Sequence, residues 1–100
     1  MTGELSEATQ PVKTLTVRVV EIKGHCPVYQ PGDRFRVREG YVLEAIQGYC
    51  MHALSALMPY YAALSRGIEP LHLGLCRPGG EAAYLQCPDR TVLFEVTPAG

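Results

Sequence analysis

One hundred residues, 47% hydrophobic and 19% charged, specify one globular domain and exclude a disordered chain. A net charge of −1 and a pI of about 6.3 exclude a global positive field that would gather nucleic acid or an anionic membrane. No apolar run reaches the roughly 20 residues that span a bilayer. No basic-then-apolar leader opens the chain, so the expected location is cytoplasmic, where thiols stay reduced.

Residues 1–12 are polar and aperiodic and read as a flexible N-terminal tail; residues 13–100 form the domain. Leu15, Val17 and Val19 then alternate with Thr14, Thr16 and Arg18 as a half-buried strand. The alternation slips by one residue at Val19-Val20, which predicts a β-bulge. Gly24 and Cys26-Pro27 end the strand. In Tyr29-Gln30-Pro31-Gly32-Asp33, proline followed by glycine suits a type II turn, with Asp33 capping it. A second strand follows, with Phe35 and Val37 inward and Arg34, Arg36 and Arg38 outward.

From Leu43 to Arg66 the period becomes helical. Ile46, Cys50, Ala53, Leu57, Tyr61 and Leu64 form its stripe, with Leu54 and Tyr60 on the margins. Pro59 kinks or divides this helix, and Gly67 stops it. Residues 71–77 and 83–87 flank Pro78-Gly79-Gly80 as a hairpin, in which Ala83, Leu85 and Cys87 share a face. After Pro88-Asp89-Arg90, a last strand alternates Val92, Phe94 and Val96 with Thr91, Glu95 and Thr97. The expected fold is α+β: a small antiparallel sheet, β-β-α-β-β, with a proline-interrupted helix packed on one face.

Cys26 at a strand end, Cys50 on the helical stripe and Cys87 on an inward strand face converge once the helix covers the sheet. Thiolates, with His25 beside Cys26, are soft donors for zinc or for iron, including iron–sulfur clusters. His25, Asp89 or Cys76 would supply a fourth ligand. No C-x-x-C pair supports such a site: the cysteines are spaced by 24, 26 and 11 residues. The competing reading is packing, because free cysteine behaves as a small buried hydrophobe. On a continuous helix His52 projects about 200° from Cys50, which excludes both from one ion and places His52 toward solvent or an interface. His72 receives no role.

A second functional reading is a thiol redox protein in which Cys26 is the nucleophile and Cys50 or Cys87 resolves it. A third is a structural or interaction module with inert cysteines. Arg34, Arg36 and Arg38, with Arg18 nearby, would hold a small anion or form a solvated face; no aromatic residue interleaves to stack bases. Ala45, Tyr49, Ala56 and Ala63 widen the helix's apolar sector and suggest a homo-oligomer through that face.

The strings Gly24-His25-Cys26-Pro27-Val28-Tyr29, Gly32-Asp33, Cys50-Met51-His52-Ala53-Leu54, Leu64-Ser65-Arg66-Gly67 and Gln86-Cys87-Pro88-Asp89 resemble an uncharacterised family of small bacterial and archaeal proteins. The resemblance covers nearly everything after the tail. It implies that Cys26, Cys50 and Cys87, but not Cys76, belong together as a set; it implies no reaction.

Overall fold

The computed structural model describes residues 12–45, 48, 50–76 and 82–99. Alternation produces the first strand, β1 (Thr14–Ile22), whose Leu15, Val17 and Val19 are each 1% exposed. Burying a side chain of this size stabilises the fold by about 1.5–3 kcal/mol. The expected bulge is present: the register against the last strand shifts between Val19 and Glu21.

The Gln30–Asp33 turn is type II as the sequence predicts. Asp33 N–H donates to Gln30 C=O (3.0 Å), Gly32 has φ +91°, and the Asp33 carboxylate accepts Gln30 N–H (2.8 Å). The turn leads into β2 (Arg34–Arg38), which buries Phe35 and Val37.

Here the structure departs from the helix expected at Leu43. Glu39 and Gly40 both adopt positive φ (54° and 80°), and Tyr41 N–H closes on Arg38 C=O. Two successive left-handed residues are the type I′ hairpin signature, so the chain doubles back as β3 (Val42–Ala45) against β2. Ala45 is therefore a strand residue, while Ile46 and Tyr49 lie outside the described residues.

Two short helices replace the single interrupted one: α1 (Met51–Leu57) and α2 (Tyr61–Ser65), separated around Pro59. Pro59 has no N–H to continue the ladder. Ala53, Leu57 and Leu64 enter the core. A Schellman closure ends α2, with Ile68 N–H to Ala63 C=O (3.0 Å) and Gly67 N–H to Leu64 C=O (3.1 Å).

The expected first hairpin arm is also corrected. Pro70–Leu73 is a 3₁₀ turn that begins with the proline, and the pairing with the following strand is short: an isolated bridge of Cys76 to Ala83 beside the bond from Tyr84 N–H to Leu75 C=O (2.9 Å). Residues 77–81, which include the expected Pro-Gly-Gly turn, lie outside the described residues. The last strands are β4 (Ala83–Gln86) and β5 (Val92–Ala99).

The described strands form one antiparallel sheet in the order β3-β2-β1-β5-β4. The fold is α+β with the order β-β-β-α-α-β-β. The inward residues of β1, β2, β4 and β5 share one core with the helices, α1 lying near β4 and α2 near β1. Val12, expected in the tail, is half-buried and packs beside Gly40, while Lys13 N–H donates to Ser65 C=O (2.8 Å). Among the described residues no helix is long and apolar enough to cross a membrane.

Gly40 and Gly32 provide a paired test. A Cβ on Gly40 would meet Val12 Cγ1 at 2.5 Å, whereas one on Gly32 would meet nothing within 4 Å. Left-handed backbone alone costs a non-glycine residue about 1–2 kcal/mol. Gly32→Ala is expected to lose about that much in urea unfolding, and Gly40→Ala about 1 kcal/mol more from the added clash.

Candidate functional site

Three segments that are remote in sequence line one cavity of about 430 Å³, open at the end of the sheet beside α1. Cys26, Cys50 and Cys87 all border it, together with His25, His52 and Asp89; Val28, Ala53, Val92 and Phe94 supply apolar wall. The three cysteines, from three separate segments, thus share one cavity wall. Cys76, considered above as a fourth ligand, borders a different cavity beside Ile68 and Leu71.

Cys26 lies in the loop after β1. Its sulfur accepts the main-chain N–H of Tyr29 at 3.3 Å. Cys87 follows β4, is 5% exposed, and is held from two sides. Its Sγ accepts Val92 N–H (3.2 Å), and its S–H donates to Asp89 Oδ1 (2.7 Å). The main chain reinforces this turn, with Cys87 N–H to Val92 C=O (3.0 Å) and Arg90 N–H to Cys87 C=O (2.8 Å).

Cys50 is not on a helical stripe. It is the extended residue before α1 (φ −100°, ψ 126°), and its C=O accepts the first helical bond from Leu54 N–H (3.0 Å). The wheel argument that separates it from His52 assumes that both residues are helical. With the helix starting at Met51, Cys50 and His52 border the same cavity. His52 is also exposed, as expected, and joins His25 as an available imidazole.

Tyr29 connects two of these cysteine segments. Its ring is buried, stacked on Phe35 (centroids 6.1 Å, 17°) and edge-on to Phe94 (5.8 Å, 88°). Its main-chain N–H meets Cys26 Sγ, and its phenol oxygen accepts Cys50 N–H at 3.4 Å. Burial is the main cause raising the phenol's pKa, and the Cys50 N–H bond to its oxygen partly offsets that rise.

Asp89 is the charged anchor of the cavity. The Cys87 thiol, then Thr91 through its main chain and side chain, stabilise its carboxylate, with a smaller contribution from His52; its pKa is drawn down to about 2. The six donors surround the cavity without converging: among the described residues no group of three or more His, Cys, Asp or Glu side chains is arranged to hold an ion.

Arg18, Arg36 and Arg38 occupy the opposite sheet face and meet carboxylates there. Arg18 bonds Glu95 through Nε (3.2 Å) and Nη2 (2.9 Å), while Arg36 and Arg38 share Glu44 at 3.0 and 2.8 Å. Tyr84 O–H also donates to Glu95 (3.0 Å). Such half-exposed pairs contribute little stability, about 0–1 kcal/mol each.

Because Asp89 titrates lower in the folded protein than its ordinary 3.8, its contribution is fully present above about pH 4 and disappears as pH falls toward about 2. Thermal melts across that window are expected to fall further for the native chain than for Asp89→Asn, which has no carboxylate to protonate. Equal acid dependence would show that the contact with Cys87 contributes nothing.

No family model, curated protein or solved structure matches this chain.

Proposed function

We propose that the protein binds a thiophilic metal ion or cluster, zinc or iron, through Cys26, Cys50 and Cys87. The carrying observation is that these three thiols, from three separate segments, border one cavity in which no other cysteine takes part among the described residues. Two of the sulfurs already accept main-chain N–H bonds, the kind of outer contact that stabilises a metal-bound thiolate and tunes the centre.

A tetrahedral ion would take its fourth ligand from His25, His52 or Asp89. Loading requires the Cys26 and Cys50 side chains to turn toward Cys87, and it requires Cys87 to exchange its proton, now shared with Asp89, for the metal. Binding therefore releases protons and strengthens with rising pH. A cytoplasmic location and self-association through the helical layer, where Met58 is exposed, complete this reading.

Protein purified without oxygen or chelator is expected to carry about one metal equivalent by elemental analysis. Alanine at Cys26, Cys50 or Cys87 should abolish it, while Cys76→Ala leaves it intact. Clearly substoichiometric zinc, iron and copper together would defeat the proposal.

A thiol redox protein is the second reading, favoured by the half-exposed Cys26 beside the exposed His25. The Cys26 thiolate would attack a peroxide, taking one oxygen as a sulfenic acid and releasing the alcohol or water. Cys50 or Cys87 would then displace water to close a disulfide. Mass spectrometry after mild peroxide separates the readings: rapid loss of two hydrogens spanning Cys26 supports this one, and an inert Cys26 rejects it.

A further inference from the structure

We infer that Tyr29 is the positioning residue of the cysteine cavity, holding Cys26 through its main-chain N–H and the Cys50 segment through its phenol oxygen. The inference rests on the metal-binding reading for its consequence, but its geometry stands apart from any ion.

Cys50 immediately precedes α1 in extended backbone, and its side chain makes no cap hydrogen bond. A first-turn N–H has no intrahelical acceptor, and an unpaired donor in a partly buried position is costly. Tyr29 supplies an acceptor at 3.4 Å to the Cys50 N–H just ahead of the helix. The acceptor is itself immobilised, because the ring is 3% exposed and wedged between Phe35 and Phe94 of the sheet. Three residues upstream, the Cys26 sulfur receives the N–H of that same tyrosine. One residue thus registers two thiol-bearing segments against the core. Phenylalanine would keep the ring and the Cys26 contact while removing only the tie to Cys50.

The experiment uses the full chain, native and Tyr29→Phe. Iodoacetamide labelling of the zinc-free protein, resolved cysteine by cysteine, is run beside zinc titration. Cys50 is expected to label several-fold faster in Tyr29→Phe while Cys76 and Cys87 keep their native rates, and zinc affinity is expected to fall about tenfold, the lower end for loss of a supporting contact. All four cysteines accelerating together would mean general loosening and overturn the inference, as would an unchanged Cys50.

The two readings fail separately. A native chain that takes up no zinc, and carries no iron or copper as purified, but shows the selective Cys50 change defeats metal binding and leaves Tyr29 in place. Native and variant chains with equal zinc affinity and equal labelling do the reverse. If Tyr29→Phe does not fold, hydrogen exchange of the native Cys50 amide decides: marked protection supports the tie, and exchange at the free-peptide rate overturns it.

Discussion

The phenol of Tyr29 lies where the sheet, the loop after β1 and the start of α1 meet. Burying the ring against Phe35 and Phe94 fixes the oxygen in space, and that oxygen then receives Cys50 N–H. The ring is held by apolar packing, which dominates the stability of a chain this small. The hydrogen bond is a modest addition in energy, about 1 kcal/mol, yet it determines where the thiol of Cys50 starts. The type II turn immediately downstream, closed by Asp33, returns the chain so that Tyr29 enters the core between β1 and β2. Cavity and core are therefore built by the same residues.

Cys26, Cys50 and Cys87 are held with unequal firmness. Cys87 has an acceptor in Asp89, a donor in Val92 and a reinforced turn around it; Cys26 has one N–H contact; Cys50 is held through its backbone alone. Such a gradient suits a site that closes on its ligand, with Cys87 as the fixed wall and the side chains of Cys26 and Cys50 turning toward it. It suits a redox pair as well, since the half-exposed Cys26 would react before the buried Cys87. Both chemistries use the same sulfurs, and they differ in what each leaves behind: a bound ion or a disulfide.

Much of the sheet is legible in the sequence. Period-two alternation identifies β1, β2, β4 and β5, and a one-residue slip identifies the bulge, because inward and outward environments differ so sharply for Leu15 and Thr16 or Phe94 and Glu95. The third strand is hidden for a physical reason. Leu43 and Glu44 suit either period over so few residues, and the decisive signal is Glu39-Gly40, where a non-glycine residue takes a left-handed conformation. Reading a helix from Leu43 onward then places Cys50 inside a wheel and turns His52 away from it. That the three cysteines border one cavity is unaffected by that error, because it depends only on the helical layer covering the sheet. The presence of His52 and the structural part of Tyr29 become visible once the helix starts at Met51. Asp89 lies in a Pro-Asp-Arg turn whose hydrogen bond to Cys87 has no signature in the sequence.

The central claim is that Cys26, Cys50 and Cys87 share a cavity from which Cys76 is excluded. A short bifunctional thiol reagent, applied to the native metal-free chain and mapped by mass spectrometry after proteolysis, tests this most directly. Bridges are predicted among Cys26, Cys50 and Cys87, with Cys76 carrying only single-ended adducts. Bridges joining Cys76 to any of the three as readily as they join each other would contradict the account.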